Sequence, residues 1–324
     1  MKALVTGAGG FIGSHLVDFC LSKGMQVVAS LRPQKERRNL RHLLKTPPPN
    51  LEIWEVDIRD RESVEHLVGE NEPDLIFHMA AQSLVIPSWE DPAYTMETNV
   101  LGTVYLFEAV KRLEKKCTVV VACSSAEYGV SYEHEWPLKE SNPLRPVHPY
   151  GISKVAQEYL AKQYTTNFGV DTRIIRYFNQ TGPRKVNDAC SDFARRIGMI
   201  EAGVAEPTIR VGNLDTYRDI TGIRDTLGAT WAVYERGKPG ETYNVCSGKP
   251  TLIREVLETL LSFSTKQVVV EEKTPEKLRL TDEPVIVGDD TRLRKELGYE
   301  HQQPLEEVLR DMFDYWRSEY EGAS

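Results

Sequence analysis

The apolar run Lys2-Ala-Leu-Val-Thr6 passes directly into Gly7-Ala-Gly-Gly10-Phe-Ile-Gly13. A periodic apolar segment then continues from Phe11 through Leu21 and closes on Gly24. That order reads as strand, glycine turn and helix. Further short apolar runs at Gln26–Leu31, Leu51–Val56, Leu75–Met79, Thr118–Cys123 and Thr172–Tyr177 read as strands. A helical pattern covers Pro92 to Leu113, and another helix begins at Tyr150. Strands alternating with helices over this span predict an α/β fold with a parallel, doubly wound sheet. From Asn179 onward the texture changes: loops lengthen at Thr181-Gly-Pro-Arg-Lys185, Ala205-Glu-Pro and Thr274-Pro-Glu, and the elements become short and mixed. We therefore expect a first domain over 1–178, its last strands contributed from within 205–250. Residues 179–324 should mostly form a smaller mixed α/β lobe closing over the cleft.

Composition narrows the partners. With 324 residues, the chain can bury a large core as one large domain or two ordinary ones. A net charge of -8 and a pI near 5.5 argue against nucleic acid as the main partner. The five cysteines show neither CxxC nor metal-ligand spacing, which suggests reduced thiols, a cytoplasmic location and no bound metal. Met1 to Gly13 carries four glycines, unlike a signal core, and runs such as Thr118–Ala122 are too short to cross a membrane.

The chemistry lies in the punctuation between elements. Gly7, Gly10 and Gly13 form G-x-x-G-x-x-G between a strand and a helix, the context in which backbone can approach a pyrophosphate at a helix N-terminus. A tight turn would need such glycines too. An NAD site usually has an acid at the end of the second strand to hold the ribose 2′-hydroxyl. Here the strand ends Ala29-Ser30-Leu31-Arg32, so the balance tips to NADP, with Ser30 and Arg32 facing a phosphate and NAD left open. Asp57 and Ile58 follow the third strand and should flank adenine. Ala80 and Ala81 follow the fourth and should lie against the cofactor. Ser124 and Ser125 end the fifth strand, where doubly wound sheets place ligands. Tyr150 and Lys154, four apart on a helix, lie on one face about 6 Å apart. An ammonium there should lower the phenol from about 10 towards the operating pH, giving an acid/base for an alcohol or carbonyl beside a hydride carrier.

Gly7/Gly10/Gly13, Ser124 and Tyr150/Lys154 together resemble the extended short-chain dehydrogenase/reductase superfamily of nucleotide-sugar enzymes, with its Rossmann domain. The resemblance runs from Lys2 to about Trp316. It is strongest to the GDP-mannose branch: the GDP-mannose 4,6-dehydratases and the GDP-4-keto-6-deoxy-D-mannose reductases, which form GDP-D-rhamnose. Ala80-Ala-Gln-Ser83, Val211-Gly-Asn-Leu-Asp-Thr-Tyr-Arg218-Asp219, Tyr243-Asn-Val-Cys-Ser-Gly248 and Leu278-Arg279-Leu-Thr-Asp-Glu283 are similar to segments of that branch. The resemblance implies that Ser124 hydrogen-bonds the sugar oxygen, Tyr150 is the acid/base, and Lys154 holds the nicotinamide ribose and tunes the tyrosine. Cofactor contacts are implied for Gly7, Gly10, Phe11, Ile12, Arg32, Asp57, Ile58, Ala80, Ala81, Asn99, Tyr150, Lys154 and Tyr177. Contacts to a nucleotide-diphosphate sugar, GDP-linked by local similarity, are implied for Ser83, Ser125, Asn179, Arg218, Arg279 and Glu283. A homodimer paired through the Pro92–Leu113 and Tyr150 helices is implied as well.

Departures from the pattern choose among reactions. A 4,6-dehydratase needs an acid two or three residues before Tyr128-Gly129 to protonate the departing C6 hydroxyl. Ser125 and Ala126 stand there. Glu127 comes one residue later and, on an extended segment, would face the other way. Phe11-Ile12 also stands where the dehydratases usually carry Gln-Asp. The expected reaction is therefore NADP-dependent reduction of the C4 ketone of a GDP-4-keto-6-deoxyhexose. A 4-epimerase, or a dehydratase with an unusual acid such as Glu127 or His148, is the alternative. His148, two residues before the tyrosine, is either a second acid/base or a solvent-facing loop residue.

Overall fold

Alternation within each strand divides the core. In β1 (Lys2–Thr6), Ala3 and Val5 point to one face of the sheet and Leu4 to the other, and all three are fully buried. Such two-sided burial is what a parallel sheet covered by helices on both faces requires. The computed structural model describes residues 1–33, 37–274 and 285–321. β1 is followed by β2 (Gln26–Leu31), β3 (Leu51–Glu55), β4 (Leu75–His78), β5 (Thr118–Ser124) and β6 (Asp171–Tyr177). These six join β10 (Thr242–Val245) in a seven-stranded parallel sheet of order β3-β2-β1-β4-β5-β6-β10.

Helices Phe11–Ser22, Ile223–Arg236 and Thr291–Leu297 cover the Ala3/Val5 face. Helices Arg61–Asn71, Gly102–Lys111 and Pro149–Phe168 cover the Leu4 face. Strand order reverses between β1 and β4, so the turns after these strands, at Gly7 and Ala80, diverge at the point where open α/β sheets bind ligands.

The Pro92–Leu113 pattern resolves into three consecutive segments, an α-helix at Pro92–Met96, a π turn at Glu97–Leu101 and an α-helix at Gly102–Lys111. Periodicity registers the apolar face but not the widened turn, which centres on Asn99.

Beyond Asn179, β7 (Asn179–Thr181), β9 (Tyr217–Gly222), β11 (Pro250–Leu252) and β13 (Val285–Ile286) form a small mixed sheet. β8 (Thr208–Arg210) pairs with β12 (Val269–Glu271). Helices Ala189–Glu201, Ile253–Ser262 and Leu305–Glu321 enclose a separate core around Phe193, Leu257, Phe313 and Trp316. Chain from this half also returns to the large sheet as β10 and as helix Ile223–Arg236. Among the described residues no helix is long and apolar enough to cross a membrane. All five cysteines are free and buried.

Candidate active site

The glycine turn is built for close approach. Gly7 has φ 65°, and a Cβ there would lie 2.7 Å from the Ala80 backbone nitrogen. A side chain at Gly13 would run into the Gly7 carbonyl. Gly10 caps the helix Phe11–Ser22 with no side-chain hydrogen bond, and its first turn holds no acid. The leading N–H groups, at Phe11 and Ile12, therefore remain for an anion. Asn39 donates to the Gly9 carbonyl at 3.1 Å, while its own Oδ1 is buried without a partner beside the turn. An open helix end, a glycine cradle and an orphaned acceptor together fit a dinucleotide's phosphates and ribose.

At the end of β2, Arg32 is exposed and hydrogen-bonds the Tyr94 hydroxyl. Arg59 lies 4.8 Å from the same ring and pairs with Asp57 at 2.7 Å, which holds that carboxyl below its usual range. Ser30 is buried, and Ile58 packs inward against Gly102. Of the residues expected at the adenosine end, Arg32 presents a charge and Ser30 does not.

Ser124 ends β5, and Tyr150 stands in the first turn of the helix Pro149–Phe168, where the two side chains hydrogen-bond. Lys154 Nζ lies 5.9 Å from the Tyr150 ring centre. The ammonium does not lower the phenol, contrary to the expectation from spacing. Packing around Tyr150 pushes it up to about 12, against the hydrogen bond from Ser124, which works downward. Lys154 is itself buried, with its pKa lowered by desolvation, and spends its protons on the Ala122 carbonyl at 2.7 Å and Gln157 Oε1 at 2.8 Å.

Behind Lys154 runs a buried polar chain that spacing did not reveal. Gln157 donates to Thr103 Oγ1 at 3.0 Å, His78 Nε2 lies 3.0 Å from the same hydroxyl, and His78 Nδ1 meets Thr6 Oγ1 at 2.9 Å. Burial holds His78 near 3, so it is neutral and serves as a spacer. Thr6 in turn accepts the Ala80 N–H at 3.1 Å, linking the lysine to the glycine turn. Only Gln157, one helical turn beyond Lys154, had a sequence signal: a polar residue on a buried helix face.

Several other expectations change with the structure. Asn99 is fully buried, and its amide is committed to the Gln82 backbone (2.8 and 2.9 Å) and to Ser153 Oγ at 2.9 Å. It fixes the post-β4 loop and the Tyr150 helix rather than offering its side chain to a ligand. Tyr177 points into the opposite core, where its hydroxyl meets Thr230 at 2.7 Å. His148 is half-buried, and its Nδ1 caps the helix by accepting the Gly151 N–H at 2.9 Å. Glu127 does not lie on an extended segment. Ser125–Glu127 is a 3₁₀ turn, and the carboxylate folds back to accept the Ser124 N–H at 3.0 Å, fully buried.

Ser83 is exposed on the loop after β4, and Ser125 is half-buried beside Ser124. Asn179 donates to the Asp219 carbonyl at 3.2 Å, and Arg218 lies on β9. The neighbouring Asp219 is buried and accepts from Ser247 N and Oγ, Gly248 N and Gly288 N, tying β9 to the segments after β10 and β13. Arg279 and Glu283 lie outside the described residues.

A family model described as GDP-mannose 4,6 dehydratase matches residues 4–312. The chain is 29% identical to a GDP-6-deoxy-D-mannose reductase of Pseudomonas aeruginosa, over 98% of this chain and 97% of that one. It is 31% identical to a UDP-glucose 4-epimerase of Mycolicibacterium smegmatis, over 98% and 99%. A solved structure of RMD from Pseudomonas aeruginosa complexed with NADPH superposes with a TM-score of 0.83 at 27% identity, covering 98% of this chain and 99% of that one.

Proposed function

The chain belongs to the family described as GDP-mannose 4,6 dehydratase, and on that premise we propose that it is a nucleotide-sugar reductase of the extended short-chain dehydrogenase/reductase type. Its reaction is reduction of the C4 ketone of a GDP-4-keto-6-deoxyhexose. The observation that carries this reading is the turn after β5. Ser125 and Ala126 bring no carboxyl group, and that of Glu127 is buried behind Ser124. Eliminating the C6 hydroxyl needs an acid, whereas for a ketone that takes hydride from a bound cofactor the Ser124–Tyr150 pair is enough to protonate the oxygen.

The turn at Gly7–Gly13 and the N–H groups of Phe11 and Ile12 hold the phosphates of NADPH, with Arg32 at the adenosine end. When bound, NADPH supplies the hydride that adds to C4. Tyr150 gives its phenolic proton to the C4 oxygen, and Ser124 hydrogen-bonds that oxygen as negative charge develops. Lys154, fixed by Ala122 and Gln157, holds its ammonium 5.9 Å from the Tyr150 ring centre, placed for the nicotinamide ribose. Residues 179–324 provide most of the nucleotide-sugar lobe, with Asn179, Arg218, Arg279 and Glu283 as its contacts.

A 4-epimerase is the second reading, supported by the similarity to the M. smegmatis enzyme. Absorbance of NADPH followed with GDP-4-keto-6-deoxymannose, and with GDP-mannose in parallel, separates the two. Stoichiometric NADPH loss with the keto sugar alone is expected. Conversion of GDP-mannose without NADPH loss would overturn the reductase reading. For cofactor choice, Arg32→Ser is expected to weaken NADPH binding about 10- to 100-fold, the worth of one or two charge-assisted hydrogen bonds. NADH binding, titrated by fluorescence, should change little.

Leu101, Ile152, Tyr159 and Phe168 are exposed apolar residues on or beside the helices expected to pair. We read that surface as a homodimer contact, for which light scattering should give twice the 36.8 kDa chain mass. Five buried free thiols fit a reducing cytoplasm.

A further inference from the structure

Directly behind Ser124 lies a closed cluster of charge that the reaction as described does not use. Glu127 Oε1 accepts the Ser124 N–H at 3.0 Å. The other oxygen, Oε2, is buried without a hydrogen-bond partner, with Arg176 Nε 3.4 Å away. Acidic oxygens of Glu127 and Glu158 and the Cys123 sulfur all lie within 4.8 Å of one another. Glu158 is bound by both ends of the Arg176 guanidinium, at 2.7 and 2.8 Å, and by Lys162 at 2.6 Å. A metal ion here would meet Arg176, which already holds these carboxylates. A single proton on Glu127 suits the site better, because it gives the orphaned oxygen something to donate to Glu158.

The cluster is coupled to the reacting groups through the backbone. Ser124 hydrogen-bonds Tyr150. A Cβ at Gly151 would lie 2.6 Å from the Ala126 carbonyl, so the first turn of the Tyr150 helix packs directly on the turn that carries Glu127. The titratable groups facing Glu127 are Cys123 on β5, Arg176 on β6, and Tyr150, Lys154 and Glu158 on the helix Pro149–Phe168.

We propose that Glu127 is a positioning residue of the reaction, holding the Ser124 main chain from behind and placing a titratable charge, shared with Glu158, beneath the Tyr150–Lys154 pair. Burial and the neighbouring Glu158 raise Glu127 to about 8, while Arg176 and Lys162 hold Glu158 at about 2 against its own burial. At neutral pH Glu127 is thus the protonated partner. As pH rises through about 8, its new negative charge makes Tyr150 a poorer acid, and ketone reduction slows. This part rests on the reductase reading above.

Two measurements on the intact protein test it. Infrared difference spectra of the wild-type protein should show a protonated carboxyl band that disappears on titration near pH 8 and is missing in Glu127→Gln. Gln keeps an acceptor for the Ser124 N–H, and the wild-type titration decides this point even if the variant folds poorly. The kcat of NADPH-dependent reduction should fall about two- to fivefold across that titration. In Glu127→Gln it should stay flat between about pH 6 and 10. Absence of the band at neutral pH, its persistence in Glu127→Gln, or an unchanged inflection in that variant would overturn the proposal. The infrared arm needs no substrate, so it stands apart from any failure of the reductase reading.

Discussion

Tyr150→Phe is expected to lower kcat for ketone reduction by about 100- to 10,000-fold, the usual worth of a positioned general acid. The substitution removes one hydroxyl. Phe retains the ring stacked on His148, 6.0 Å away and inclined by 18°, so the helix start should not rearrange. NADPH affinity, read by fluorescence quenching, should stay within about threefold, because the glycine turn and Arg32 are untouched. The pH dependence supplies an independent check. With its phenol pushed up to about 12 in the unliganded protein, Tyr150 enters the cycle protonated, the form reduction requires. Reduction should therefore be lost as pH rises, while oxidation of the alcohol product, which needs the phenolate, should gain. Comparable turnover of Tyr150→Phe and wild type would remove Tyr150 from the chemistry.

The parts of this site legible in the sequence are those set by local backbone chemistry. G-x-x-G-x-x-G between a strand and a helix can be read because positive φ and close approach demand glycine at Gly7. Tyr150 and Lys154 can be read because helical spacing places them on one face. Strands β1 and β2 keep their expected bounds, since dense apolar runs between turn residues leave little freedom. What spacing could not reach was direction and ionisation. Whether Lys154 lowers the Tyr150 pKa depends on where its ammonium is anchored. That anchor comes from Ala122 on a neighbouring strand and from Gln157, itself held by Thr103. Glu127 was expected on an extended segment, and a 3₁₀ turn reverses its side chain. His148 looked like loop chemistry until Gly151 N–H was placed on its ring. In each case the deciding partner is distant in sequence or depends on a turn type that alternation does not encode.

Arg176→Met is expected to cost about 3–5 kcal/mol of folding stability, because it strands buried carboxylates rather than removing a whole ion pair. Arg176 is 2% exposed, and Glu158 and Glu127 are fully buried. Beyond Glu158, the guanidinium donates to the Tyr128 hydroxyl at 3.0 Å and to the Glu140 carbonyl at 3.1 Å, so four partners lose a donor or counter-charge at once. The sign of the pH dependence follows from Glu158, whose folded-state value of about 2 lies below its ordinary 4.5. In the wild type that depression contributes stability above about pH 4.5, lost as pH falls towards 2. Without Arg176, burial acts on Glu158 against Lys162 alone and raises it, so the stability it contributes above about pH 4.5 shrinks. The gap between variant and wild type should widen from pH 4 to pH 7 in urea unfolding. Removing Glu158 as well, in Arg176→Met/Glu158→Met, should recover part of the loss, since an apolar replacement removes a buried charge that Lys162 only partly offsets. A pH-independent gap, or a double variant as unstable as the sum of its singles, would mean that Arg176 stabilises the protein by packing rather than by balancing the charge behind Ser124.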